Sequence, residues 1–102
     1  MCDDSLKRCS HVFSYKDMGN TSVEVRGDFA TGAWDAGVPM TKSGDTWSAT
    51  VNVPYNVDVK YKFFVDGKSW VTDPSVPTID DGFGGKNSKL AAATCDVWTC
   101  AP

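Results

Sequence analysis

Residues 59–70 read VKYKFFVDGKSW, and this stretch decides the fold. Apolar side chains occupy every second position from Val59 to Val65, and lysines occupy two of the positions between them. Alternation with a period of two is typical of a strand with one buried face. The Asp66-Gly67 pair follows directly and favours the tight turn of a β-hairpin. The segment therefore predicts an antiparallel hairpin with an apolar face and a polar face.

The same alternation recurs on both sides of this hairpin, and no segment shows a helical period for more than a turn. Glycine, proline, asparagine and aspartate residues lie between the alternating segments, as expected for turns. About seven short antiparallel strands in one chain predict an all-β fold, a β-sandwich. Residues 73–86 hold two prolines and three glycines without alternation and predict a long irregular loop. The other strands are expected at residues 22–26 and 47–53 and, with a weaker pattern, at 11–15, 38–42 and 88–92.

Length and charge limit the possible functions. The chain has 102 residues, which predicts one domain over residues 1–102, with a core at about 11–92 and cysteine-bearing terminal segments at 1–10 and 93–102. Its net charge is -3 and its ten lysines and arginines are scattered, so no nucleic-acid partner is expected. No stretch approaches the roughly 18 apolar residues of a membrane span. We expect any export signal to have been removed.

The four cysteines lie only near the ends of the chain, at Cys2, Cys9, Cys95 and Cys100. This placement favours disulfides, for which three connectivities exist, and we prefer ties between the two ends. The alternative is a zinc site, but the cysteine spacings are wider than those of zinc knuckles and His11 is the only histidine. Stable disulfides predict a secreted, periplasmic or cell-surface protein.

Candidate catalytic groups are poor. His11 stands alone in a predicted strand, and no serine lies in a nucleophile-elbow context. The adjacent acids Asp3-Asp4 and Asp80-Asp81 fall in irregular segments, where they are expected to cap turns or face water rather than to form a spaced carboxylate pair. The sequence predicts that the protein is not an enzyme and needs no cofactor.

Aromatic residues outside the alternating pattern are more informative. Trp34, Trp70 and Phe83 fall in loops or beside turns, whereas Trp47 continues an apolar strand face and is expected in the core. Flat exposed rings suit the apolar C–H face of a pyranose, and the sugar hydroxyls then need polar partners. Lys62 lies on the strand face opposite Tyr61 and is a candidate donor. The alternatives are edge packing for the tryptophans and a solvated strand face for Lys62.

Several motifs occur in a fixed order, and their combination is more specific than any one of them. They are Val23-Glu24-Val25-Arg26-Gly27-Asp28-Phe29 followed by Trp34; Pro39-Met40, Gly44 and Trp47; Tyr61-Lys62-Phe63-Phe64-Val65-Asp66-Gly67; Trp70 ahead of Asp73-Pro74; and Gly84-Gly85-Lys86-Asn87-Ser88. This set, over roughly residues 12–90, resembles the glycogen-binding modules of AMP-activated protein kinase β subunits and the related N-terminal domains of glycogen branching and debranching enzymes.

The resemblance implies an immunoglobulin-like sandwich in which tryptophans stack on glucose rings while a lysine and an asparagine hydrogen-bond the hydroxyls. By position it assigns carbohydrate binding to Trp34, Lys62, Trp70, Phe83 and Asn87. It implies a non-catalytic module that binds α-glucans such as glycogen, starch and maltooligosaccharides, alone or with an amylolytic catalytic domain. The alternative is a structural sandwich domain that packs on such a catalytic domain without binding sugar.

The chain departs from this family in two places. It inserts residues 30–33 before Trp34, and the segment Gly32-Ala33-Trp34-Asp35 is instead similar to the starch-binding domains of amylases. Gly85 stands where the kinase modules have threonine, which removes one hydroxyl contact.

Overall fold

The computed structural model describes residue 3 and residues 6–100, and this part of the chain forms ten short strands and no α-helix. None of its elements is a helix long and apolar enough to cross a membrane. The strands are β1 (Lys7–Lys16), β2 (Val23–Gly27), β3 (Val38–Pro39), β4 (Thr41–Ser43), β5 (Thr46–Pro54), β6 (Val59–Val65), β7 (Ser69–Val71), β8 (Thr78–Asp80), β9 (Lys86–Leu90) and β10 (Thr99–Cys100).

The strands form two antiparallel sheets. The first sheet has the order β10-β1-β5-β4, and the second has the order β3-β2-β6-β9-β8. Strand β7 pairs with the later half of β6, beyond the residues of β6 that pair with β9. The predicted all-β sandwich is therefore confirmed, as is the hairpin formed by β6 and β7.

The core lies between the two sheets. Phe13 of the first sheet contacts Tyr61 of the second, with ring centroids 4.7 Å apart, and Tyr15 contacts Phe63 at 5.1 Å. The predicted orientation of β6 is confirmed, because Tyr61 and Phe63 are buried while Lys60 on the other face is exposed. That other face of the second sheet carries the groove described below.

Two predictions about irregular and extended segments were wrong. Residues 38–42 form two short strands, β3 and β4, that belong to different sheets. Buried Met40 separates them, and its N–H donates to the carbonyl of Val23, so the chain passes from one sheet to the other at that point. The predicted loop at residues 73–86 contains β8, which pairs with β9. A three-residue strand is too short to show the alternation by which strands are recognised.

A disulfide joins Cys9 of β1 to Cys95, with Cα atoms 6.0 Å apart and a sequence separation of 86 residues. This bond is a tie between the two ends of the chain, as preferred from the sequence, and it takes two of the thiols that a zinc site needs. Cys100 is also disulfide-bonded. The prediction for Cys2 lies outside the described residues.

Asp66 connects the turn of the β6–β7 hairpin to the segment before β2. Asp66 and Gly67 both have positive φ, at 55° and 69°, as the favoured hairpin turn requires. The Asp66 carboxylate accepts hydrogen bonds from the backbone N–H groups of Thr21 at 2.7 Å and Ser22 at 3.1 Å. These backbone donors stabilise the charged form and lower the pKa of Asp66 from 3.8 to about 2.

This lowered pKa predicts a specific acid sensitivity. A carboxyl whose pKa is lower in the folded state stabilises the fold above its unfolded pKa near 3.8, and that contribution disappears as the pH falls through about 2. We expect the urea midpoint of the wild type to decrease as the pH is lowered from 5 to 2. The decrease should be smaller in Asp66→Asn. An equal pH dependence in both proteins would contradict this role.

Candidate functional site

A groove of about 470 Å³ lies on the outer face of the second sheet. Its volume is in the range of small-molecule sites. All five residues predicted to bind carbohydrate line it, and three charged residues that were not predicted join them. The lining residues are Asp28, Trp34, Lys60, Lys62, Trp70, Asp81, Phe83 and Asn87.

Trp70 is positioned by the hairpin. It pairs in register with Phe64 of β6, and the two rings lie with centroids 4.7 Å apart. The guanidinium of Arg26 lies 4.2 Å from the ring centroid of Phe64 and 5.5 Å from that of Trp70. The same guanidinium forms an ion pair with the Glu24 carboxylate at 3.3 Å. These contacts fix the indole while leaving 49% of the residue exposed. Trp70 therefore presents a supported ring to solvent.

Trp34 reaches the same groove from the segment between β2 and β3. Buried Phe29 and Ala33 anchor this segment in the core, and the Trp34 carbonyl accepts a hydrogen bond from Arg26 at 3.3 Å. The rings of Trp34 and Trp70 have centroids 6.3 Å apart and planes inclined at 54°. The inserted residues 30–33 thus leave Trp34 beside Trp70, and the two rings form an angled platform.

Phe83 lies at the tip of a tight turn between β8 and β9 and is 93% exposed. Gly82 and Gly84 on either side of it have φ values of 82° and 85°, a conformation that glycine adopts without strain. The Asp81 carboxylate closes the turn by accepting hydrogen bonds from the N–H groups of Phe83 at 2.7 Å and Gly85 at 3.0 Å. An apolar ring with this exposure has no packing role in the described fold.

The two predicted polar side chains, Lys62 and Asn87, also line the groove. Lys62 on β6 forms an ion pair with Asp81, with Nζ and Oδ2 2.9 Å apart. Asn87 on β9 is only 8% exposed and lines the groove. Within the described part of the chain, no residue hydrogen-bonds the side-chain amide of Asn87. The amide atoms are therefore free to donate and accept hydrogen bonds with a polar ligand in the groove.

Asp81 is one of the three lining residues that sequence reasoning missed, together with Asp28 and Lys60. It was expected to cap a turn or face water; it does cap a turn, but its carboxylate also lies in the groove. The hydrogen bond from Lys62 and then those from the Phe83 and Gly85 amides lower the pKa of Asp81 from 3.8 to about 2, so the carboxylate is charged at neutral pH. An aspartate just before a glycine-rich turn was the available signal.

His11 lies away from this groove, in a smaller cavity of about 230 Å³ that Tyr61 and Asp73 also line. Burial lowers the pKa of His11, with the Asp73 charge acting in the opposite direction. The Asp73 carboxylate accepts hydrogen bonds from the Tyr61 hydroxyl at 2.7 Å and from the Ser75 hydroxyl at 2.6 Å. Since these bonds engage both carboxylate oxygens, Asp73 has a structural role beneath the groove.

The two-sheet sandwich and its aromatic-lined outer groove define the class of the protein, a β-sandwich binding module. The chain belongs to the family described as the glycogen recognition site of AMP-activated protein kinase, whose model matches residues 9–97. This is a family of carbohydrate-binding modules, which confirms the family suggested by the sequence motifs. No curated protein sequence matches the chain significantly.

Proposed function

We propose that this protein is a non-catalytic module that binds α-glucans, such as glycogen, starch and maltooligosaccharides, in the groove on its second sheet. The observation that carries the proposal is the angled pair of Trp34 and Trp70, whose ring centroids lie 6.3 Å apart and whose planes are inclined at 54°. Successive glucose units of an α-1,4-glucan turn along a helix, so their apolar faces are not coplanar. A flat β-1,4-glucan favours coplanar rings instead.

The remaining groove residues supply the polar half of recognition. Lys62 and Asn87 bring N–H donors to the sugar hydroxyls, and the Asp81 carboxylate is a fixed acceptor. Phe83 adds a third aromatic ring to the groove, and this ring is 93% exposed. Each stacking pair contributes about 0.5–1.5 kcal/mol beyond the burial of area, so the affinity of one isolated module is expected to be about micromolar to millimolar.

The disulfide supports a location outside the reducing cytoplasm. The Cys9–Cys95 bond joins the two ends of the described chain, and such structural bonds persist in oxidising compartments. The proposal is therefore a module that acts at the cell surface, in the periplasm or in the medium, where polymeric glucans are degraded. An amylolytic catalytic domain is the partner that fits this setting.

Native gel electrophoresis tests the proposed function. We expect the protein to be retarded in gels containing glycogen or amylopectin but not in gels containing barley β-glucan or no polysaccharide. Incubation with soluble starch should release no reducing sugar, because the groove is assigned a binding role only. Equal mobility in all four gels would overturn the proposed function.

A further inference from the structure

We propose that Asp81 is the specificity-determining residue of the groove: its carboxylate positions Lys62 and the Phe83 turn and, by compensating the lysine charge, restricts the groove to uncharged glucans. This inference rests on the proposed function. The Asp81 carboxylate interacts both with Lys62 and with the turn that carries Phe83.

The geometry of the carboxylate supports the positioning role. Oδ1 accepts the two amide hydrogens of the turn that carries Phe83, and Oδ2 accepts the Lys62 ammonium at 2.9 Å. The side chains of Lys62 and Asp81 are only 16% and 13% exposed. An ion pair that is largely shielded from water is screened little by salt, so it holds both partners in a defined geometry.

The space occupied by this carboxylate is available because residue 85 is glycine. A Cβ atom at Gly85 would lie 2.7 Å from Asp81 Oδ2, closer than atoms approach without displacement. Any side chain at that position would therefore require the Asp81 carboxylate or the turn itself to shift. The geometry of the Lys62–Asp81 ion pair therefore depends on the glycine at position 85 of the turn.

The charge balance of the groove supports the specificity role. Two of its lining residues are lysines, Lys60 and Lys62, and two are aspartates, Asp28 and Asp81, so the wall is neutral overall. A neutral sugar in the groove can hydrogen-bond to these groups, and the lining as a whole carries no net charge. An anionic substituent near Asp81 meets a fixed negative charge, and Lys62 is already neutralised by its partner.

The test compares binding of two ligands, β-cyclodextrin and mono-carboxymethyl-β-cyclodextrin, by tryptophan fluorescence at low ionic strength. The variant is Asp81→Asn, whose side-chain oxygen still accepts the turn amides while Lys62 loses its counter-charge. The matched control is Asp80→Asn, since Asp80 is highly exposed, pairs with Lys86 and does not line the groove. Each variant removes one negative charge, and the two positions are adjacent in the chain.

Wild type and Asp80→Asn are expected to prefer the neutral ligand to the same degree. In Asp81→Asn this preference should shrink by a factor of about three to ten, because one unit charge a few ångströms from the ligand is removed. The double variant Lys62→Gln/Asp81→Asn is neutral again, so its preference should move back toward that of wild type, although it binds the neutral ligand more weakly.

The outcomes separate this inference from the proposed function. If wild type binds neither cyclodextrin, the proposed function fails. If wild type binds and Asp81→Asn keeps the wild-type preference, or if Asp80→Asn shifts it equally, the role of Asp81 is wrong and the proposed function stands. Failure of the double variant to move the preference back toward that of wild type would also overturn the role given to the Lys62 pair.

Discussion

Trp70→Ala is expected to abolish retardation by glycogen and to weaken binding of maltoheptaose about thirtyfold, the roughly 2 kcal/mol typical of a central tryptophan at an interface. The substitution removes the ring that contacts Phe64 at 4.7 Å and lies beside Trp34. Trp34 is then left without the second indole ring, so the angled platform is lost. Isothermal titration calorimetry with maltoheptaose measures the change.

Trp98→Ala is the matched control for this substitution. Trp98 is 39% exposed and packs near Tyr55, with the Lys7 ammonium 4.0 Å from its ring centroid, but it does not line the groove. We expect it to bind maltoheptaose as wild type does. Wild-type affinity in Trp70→Ala, or an equal loss in Trp98→Ala, would contradict the assignment of the platform.

Asp73→Ala is expected to give the largest loss of stability, about 2–4 kcal/mol, because it leaves a buried hydroxyl without its partner. The Tyr61 hydroxyl donates to Asp73 at 2.7 Å, and burial followed by this hydrogen bond raises the pKa of Tyr61 well above its ordinary value. The Asp73 N–H in turn donates to Ser88 on β9 at 2.7 Å. The Asp73 side chain thus holds the segment after β7 to β6, beneath the groove.

For a domain of this size such a loss corresponds to a fall in Tm of about 10–25 °C. Urea unfolding should show a lower midpoint with an unchanged m-value, and Asp73→Asn, which keeps one acceptor oxygen, should lose less. Well below its Tm, Asp73→Ala should still bind maltoheptaose, since Asp73 does not line the groove. A midpoint within error of wild type would contradict the structural role.

The fold was predictable where strands are long enough to show their period. The alternation in β6 and the Asp66-Gly67 turn predicted the hairpin, its buried face and the outer face that carries Lys62. The short strands β8 and β10 were not predictable, because they owe their pairing to β9 and β1 rather than to a local pattern. The change of sheet at Met40 depends on the tertiary packing of both sheets and has no local signature.

The aromatic residues, Lys62 and Asn87 of the site were predictable, but its acidic residues and its geometry were not. Its five predicted residues come from separate parts of the chain, and the fold brings them to one groove. The 54° inclination of the Trp34 and Trp70 rings depends on Arg26 and on the burial of Phe29 and Ala33, which anchor the segment that carries Trp34. These tertiary contacts cannot be deduced from the spacing of residues in the sequence. Asp81 was missed because its two sets of partners meet only when the β8–β9 turn folds over β6.

The central claim, that the groove binds α-glucan, is tested most directly by titrating maltoheptaose into isotopically labelled protein and following side-chain N–H signals by NMR. We predict that the indole signals of Trp34 and Trp70 and the side-chain amide of Asn87 shift together with one dissociation constant, while the indole signals of Trp47 and Trp98 stay fixed. No shift up to about 10 mM ligand, well above the expected range of affinity, or shifts confined to Trp98, would contradict the claim.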